Sequence, residues 1–510
     1  MVCVCVIVSV QKKQTMGFLK KLGTDTAIYG LSSIVGRFLN YLLVPLYTAK
    51  MAAATGGYGI VTHIYGYTAL LLVFLTYGME TTLFRFLNKE GEDPSKVYTT
   101  ILATVGVTSL AFVACVFGFM GQIAPVMGYA DHPAYIGSMC IVVALDAFQA
   151  IMFSYLRAKK RPYKFAALKL LFIFMNIGLN WLFFVTFPDN YENHKELLGW
   201  FYDPTVGVGY AFYINLFCTS VVTFGFWKEL FGVKWSFDWG LLKRMLSYTW
   251  PLLVLGIAGI LNQTADKIIF PFIYPGGAVA AKVPLGIYGA AVKIAMIMAL
   301  ITQAFRYAYE PLIFDKSSRE DNNKMQVLGM KYFVIFTLAA FLAVMAGLDV
   351  LKYIIGADYR EGLVVVPIVM AAEIMMGIYF NLSFWYKLTD RTIWGAVISG
   401  AGCLVLLAVN IIFVPTHSYM ACAWGGVAGY GTAMLLSYFL GQHYLPIKYP
   451  LKELGLYVAL TAVLYAAGAL VKIDNEILAT LYRTALFAIF MAVVVAREGI
   501  LAAVMRRFKR

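Results

Sequence analysis

Charged residues are scarce in this sequence. Asp, Glu, Lys and Arg make up 13% of its 510 residues, against about 25% in a soluble domain. Hydrophobic residues make up 61%, and mean hydropathy is +0.75. That balance excludes a soluble enzyme. It also argues against nucleic acid as a partner, although the net charge is +14. Histidine is scarce too: His63, His132, His194, His417 and His443 are scattered, mostly near helix ends, with no spacing that suits a metal. Cys115, Cys140, Cys218, Cys403 and Cys422 sit singly in apolar runs, as buried inert thiols rather than redox or metal groups. No Gly-x-x-x-x-Gly-Lys-Ser/Thr sequence occurs, so direct ATP coupling is not expected. No cofactor, metal or catalytic residue is called for. Long polar loops are missing as well, which argues against a glycan polymerase or glycosyltransferase with an extramembrane catalytic loop.

What is abundant is apolar runs of about twenty residues, the length that crosses a bilayer as a helix. Fourteen are expected, over residues 26–48, 58–77, 98–121, 135–156, 165–187, 205–227, 247–270, 285–309, 327–350, 362–384, 393–414, 420–440, 452–471 and 477–496. The fold class is therefore an all-α polytopic membrane protein. Residues 24–232 and 233–445 form two pseudo-symmetric six-helix bundles. Residues 1–23 precede them, and 446–510 add two helices and a basic tail. Residues 1–15 fit no targeting pattern and have the character of an upstream extension, with Met16 as the more ordinary start. Residues 18–22 suit the membrane surface.

Basic residues concentrate in alternate loops, most densely at Arg157, Lys159, Lys160, Arg161 and Lys164. The positive-inside bias then puts both termini in the cytoplasm. A weak repeat is visible. Tyr58-Gly59 opens helix 2 as Tyr288-Gly289 opens helix 8, and Phe84-Arg85 and Phe305-Arg306 follow towards their far ends. Two halves related by an axis along the membrane normal give this pattern.

Charges inside spans cost roughly 2.5–3.5 kcal/mol each at the centre of a helix, so each needs a cavity or a partner. Arg37, midway along helix 1, and Lys293, in helix 8, lie too deep to reach the surface comfortably. They face a cavity that accepts an anion, or they pair internally, Arg37 with Glu80 and Lys293 with Asp266. Arg85 and Arg306 stand near helix ends, where snorkelling explains them equally well. Lys169 is a weaker case of the same kind. Asp146 and Glu373 near mid-span are either proton or sodium sites or structural partners. Tyr29, Tyr41, Tyr65 and Tyr67 offer faces to sugars or simply pack.

The most informative stretch is 247–267. Pro251 stands near its start, Gly256 and Gly259 let another backbone come close, and Asn262, Gln263 and Thr264 break the apolar run before Asp266 and Lys267 end it. Gly286-Ile287-Tyr288-Gly289, Lys293 and Pro311 follow. Together with Tyr248 and Leu252, this order resembles the centre of the polysaccharide transporter family, in the superfamily of multidrug exporters and lipid-linked oligosaccharide flippases. The stretch 270–284, with Pro271, Pro275, Gly276 and Gly277, is longer than that family's usual outer loop.

The resemblance implies a non-enzymatic, alternating-access flippase. It moves an undecaprenyl-diphosphate-linked oligosaccharide across the bacterial inner membrane for surface polysaccharide biosynthesis. Helices 1, 2, 7 and 8 would line its cavity, and helices 13 and 14 would hold the lipid tail. Arg37, Lys293, Arg306 and Arg85 would bind substrate. Asp266, Asp146, Glu373 and Glu80 would carry a coupling ion or pair with cations. Its partners would be the lipid-linked oligosaccharide, membrane lipids, and the glycan polymerase and glycosyltransferases of the same pathway. A cation-coupled exporter of small molecules is the alternative within the superfamily. A proton-pumping respiratory subunit would need charges strung laterally through several helices, and only scattered ones appear.

Overall fold

The computed structural model describes residues 41–314, 319–389, 391–471 and 473–499. Arg37, Tyr29, Cys3, Cys5, the proposed extension 1–15 and the interfacial segment 18–22 lie outside them. The described residues are helical with no strand. In chain order the main helices are α1 (Leu43–Lys50), α2 (Gly57–Leu87), α3 (Pro94–Gly118), α4 (Pro133–Ala158), α5 (Pro162–Asn190), α6 (Gly209–Phe224) and α7 (Trp239–Ile273). They continue with α8, in two arms (Lys282–Ala295 and Ile297–Phe314), α9 (Arg319–Ala346), α10 (Val366–Leu382), α11 (Ile393–His417), α12 (Tyr419–Tyr444), α13 (Leu451–Leu470) and α14 (Glu476–Arg497). Among the described residues, eleven helices are long and apolar enough to cross a membrane. The chain is a multi-pass membrane protein.

Local chemistry sets the helix starts. Pro94, Pro133 and Pro162 open α3, α4 and α5 at the position where a missing N–H costs nothing. Asp93, Asp238 and Asn475 cap α3, α7 and α14 by accepting from backbone N–H groups of the first turn. The Asp238 cap starts α7 well before the expected 247. Pro251 consequently stands inside α7, and so does Pro271. α7 runs on to Ile273, three residues past the expected end at 270, and part of the expected outer loop is helical. Some helices are broken. Tyr77 (φ 30) and Gly78 (φ 76) interrupt α2 with left-handed backbone, and Met296 separates the arms of α8.

The chain forms two compact units: residues 1–289 with 414–418, and residues 290–413 with 419–510. In the first, the second arm of α2 packs with α3, α4, α6 and the start of α7 around Met79, Leu83, Tyr98, Ile101, Ala147 and Met245. Tyr98 stacks on Tyr155 at 3.9 Å, and its hydroxyl donates to the Glu229 carbonyl at 3.2 Å. In the second, α10 packs on α12, and α9 packs on α10, α13 and α14. Gly402 of α11 and Gly429 of α12 face each other's carbonyls so closely that a Cβ on either would lie under 3 Å from oxygen. Small residues drive such approaches in lipid, where apolar burial between helices gains little. The outer surface is apolar, with Leu110, Phe174, Phe224, Leu404, Phe439 and Leu470 exposed. Asn180, Thr219, Asn410 and Ser437 are buried. Polar inside and apolar outside is the pattern a bilayer solvent requires.

Candidate functional site

Leu252, Gly256, Asp266, Lys267, Tyr288 and Gly289 of the sequence motif meet α2 in a seam of three helices within the first unit. α2 and α7 run antiparallel. Gly66 faces Lys267 and Ile268, Gly256 faces the Val73 side chain, and Gly78 sits against Leu252. The first arm of α8 runs parallel to the start of α2. Gly56 and Gly59 lie on Lys282, with Gly59 directly against its carbonyl, and Gly289 lies against Thr62. The two Tyr-Gly pairs thus mark the crossing of α2 and α8, and neither glycine has room for a Cβ. Gly259 behaves otherwise than expected: the space around it is open.

Asp266 is the polar centre of the seam. It is buried, and its carboxylate is fully engaged. Lys267 Nζ donates to both oxygens at 2.9 Å, the Lys267 backbone N–H donates to Oδ1, and the Tyr288 hydroxyl donates to Oδ2 at 2.7 Å. Lys267 Nζ also reaches the Gln263 carbonyl at 3.0 Å. One cation and two further hydrogen-bond donors offset the cost of burying this carboxylate. Asp266 thus pairs with Lys267 and Tyr288.

The other predicted residues fall as follows. Glu80, on the second arm of α2, accepts from Ser154 at 3.1 Å and Arg157 at 3.3 Å, so its partners come from α4. Arg85 lies 4.0 Å over the Tyr248 ring, which joins the motif tyrosine to α2 by a cation–π contact. Arg306 lies 4.3 Å over Phe380 and 3.8 Å from Glu310, an acid it shares with Lys387. Lys293 is half-buried in the last turn of the first α8 arm, and Glu373 is half-buried in α10. Asp146 is half-buried in α4, and Lys169 of α5 is the cation acting on it. Lys169 itself lies 4.0 Å over the Phe153 ring. Tyr65 is tied to Asn215 and Tyr67 packs edge-on against His63, so both take part in packing.

Sequence reasoning missed several polar contacts. His63 is buried, and its Nδ1 lies 3.0 Å from the Tyr129 hydroxyl. Lys282 lies 4.3 Å over the same Tyr129 ring and donates to the Gly128 carbonyl at 2.7 Å. Lys331 of α9 binds Glu453 of α13 at 2.8 Å and Glu498, just past α14, at 3.0 Å. Arg483 pairs with Asp349. Each partner is far away in sequence, so no local pattern announces it. Cys115 is exposed on α3, against expectation, while Cys140, Cys218, Cys403 and Cys422 are buried. Among the described residues, no group of three or more His, Cys, Asp or Glu is placed to hold a metal.

Known structures share this architecture. A lipid II flippase MurJ, in an inward closed conformation, aligns with 92% of this chain and 99% of its own at 14% identity, with a TM-score of 0.70. A multidrug resistance MATE family transporter of the MOP superfamily, inward-facing, aligns with 82% of this chain and 94% of its own at 14% identity and a TM-score of 0.58. A MATE transporter in the straight conformation aligns with 82% of this chain and 95% of its own at 16% identity and a TM-score of 0.56. At these identities the likeness is one of fold. No curated protein matches the sequence. The model of the family described as polysaccharide biosynthesis protein matches residues 22–315, which include α1 to α8 and the whole of the Asp266 seam. With more than half its length matched, the chain belongs to the polysaccharide biosynthesis protein family.

Proposed function

We propose that the chain is a flippase that carries an undecaprenyl-diphosphate-linked oligosaccharide across a bacterial inner membrane by alternating access, with no enzymatic step and no cofactor. The observation that carries this reading is the seam. Several of the residues that resemble the polysaccharide transporters, Tyr248, Leu252, Gly256 and Gly289, bind α7 and α8 to α2, so that part of the resemblance reflects a built contact and not shared apolar composition. In this reading Arg37 and Lys293 hold the diphosphate, Arg by a bidentate fork and Lys as a point charge. Arg85 and Arg306 assist, because a guanidinium stacked on a ring keeps its N–H edge for phosphate oxygens. Two cations match a diphosphate of roughly two negative charges. A cavity of 300 Å³ in the second unit supports a role for α13 and α14 in taking the lipid tail. Leu342, Met345, Pro367, Leu464 and Leu486 line it, and the Asp349–Arg483 pair adds a polar edge. The glycan polymerase and glycosyltransferases of the same pathway are the proposed partners.

The second reading, a cation-coupled exporter of small molecules, is favoured by Asp146, a half-buried carboxylate with one cation, Lys169, acting on it. The measurement that separates the two is lipid-linked glycan retained on the inner leaflet of cells carrying each variant. Arg37→Ala and Lys293→Ala are expected to retain it while the protein still inserts, and Arg37→Lys to recover part of the export. Normal export by both Ala variants removes the cationic-cavity mechanism.

A further inference from the structure

The geometry points to a binding site for an anionic phospholipid headgroup at the junction of α4, α5 and α6, away from the Asp266 seam. A cavity of 780 Å³ opens there, lined by Lys160, Arg161, Pro162, Lys164, Trp227 and Lys228, with Tyr163 beside them. Four cations surround it, and the nearest acid is Glu229. That carboxylate is buried and already committed to Lys164, with Arg161 3.6 Å away. Among the described residues, Lys160 and Lys228 make no ion pair. Lys160 also holds a left-handed backbone, φ 52, where a glycine would sit without strain. The site therefore carries net positive charge that nothing in the described protein neutralises.

The level of the cavity identifies its occupant. On α5 the exposed residues Tyr163, Ala167, Leu171, Phe174, Gly178 and Trp181 recur every three or four positions, which is one face of a helix turned outward. Tyr163 is 78% exposed and Trp181 58%. Eighteen steps of α-helix separate these two aromatic ends, or about 27 Å, close to the hydrocarbon thickness of a bilayer. Tyr and Trp favour the two water–lipid boundaries. The stripe fixes Tyr163, and so the cavity, at one of them. Trp227, 61% exposed, lines the cavity, while Phe224, one turn earlier, is exposed on the apolar side. A phosphate entering from the membrane plane would meet Lys160 and Lys228 while its acyl chains lay along Leu171 and Phe174. Basic pockets between membrane helices bind anionic headgroups by this arrangement. An acidic protein partner would satisfy the cations but would not use the apolar stripe.

The test uses the full chain in nanodiscs of phosphatidylcholine doped with tail-brominated phosphatidylglycerol or tail-brominated phosphatidylcholine. The quenching at Trp227 is taken as the difference between the wild type and Trp227→Phe. Trp227 is expected to be quenched at a lower fraction of the anionic lipid than of the zwitterionic one. Lys160→Ala with Lys228→Ala should weaken that preference roughly thirtyfold, from the loss of two interfacial charges. Lys448→Ala with Lys452→Ala removes the same charge from exposed positions elsewhere and should leave the preference intact. Equal quenching by both lipids, or an unchanged preference in the Lys160/Lys228 variant, overturns the assignment. Loss of the preference in inorganic phosphate, but not in chloride of equal ionic strength, overturns it in favour of a free phosphate site. Displacement of the lipid by a polyglutamate peptide alone overturns it in favour of a protein partner.

Discussion

Tyr288 and Asp266 stand 22 residues apart on different helices, and the phenol of one donates to the carboxylate of the other at 2.7 Å. This bond ties the first arm of α8 to the far end of α7. Tyr288→Phe removes one donor from a buried carboxylate and should cost about 1.5–3 kcal/mol of stability. A lowered thermal midpoint in detergent checks it; an unchanged midpoint would mean that Lys267 alone satisfies Asp266.

Gly59 and Gly259 should respond in opposite ways to the same change. A Cβ at Gly59 collides with the Lys282 backbone, so Gly59→Ala should cost about 1–3 kcal/mol or prevent folding. Gly259→Ala enters open space on a helix and should be neutral or stabilising by up to about 1 kcal/mol. Monodisperse yield and thermal midpoint of the two variants decide between them.

Lys331 holds α9 to Glu453 and to Glu498, the latter also accepting from Tyr457 at 2.8 Å. Lys331→Met leaves the Glu498 carboxylate without its cation and should destabilise this region. Faster proteolytic release of the last two helices reports it, and Lys331→Arg should restore resistance.

Orientation follows from the basic loops. In a background without native cysteines, cysteines placed at Asn190 and Asp358 should react with an impermeant reagent from outside, and those at Gly91 and Ser317 should not. The reverse pattern reverses the assignment, and would put the Lys160–Lys228 cavity on the outer face.

Asp146 and Glu373 are the candidate coupling acids. If either carries the ion, Asp146→Asn or Glu373→Gln should abolish the dependence of transport on a sodium or proton gradient. Gradient dependence that survives in both variants leaves them as structural partners.

The helix rhythm was legible because lipid imposes it: about twenty apolar residues and a polar break, repeated. The motif was legible as well, since Gly59, Asp266, Tyr288 and Gly289 fall where backbones touch or a charge is buried. What hydropathy does not encode is where a helix bends or what a charge meets. The break at Tyr77–Gly78 is invisible in an apolar average. The start of α7 at Trp239 depends on one capping carboxylate. Glu80 finds Arg157, and Arg85 finds Tyr248, across distances in the chain that no spacing rule spans. His63 is buried because Tyr129, 66 residues away, receives it.

The two prolines inside α7 have a mechanical consequence. Each lacks the N–H that would reach the carbonyl four residues back, at Ser247 and at Lys267. The gaps lie about twenty residues apart, about 30 Å along the helix, which is the depth of the hydrocarbon. α7 can therefore bend at either proline without breaking a further backbone hydrogen bond, and the segment between them moves as one stiff rod.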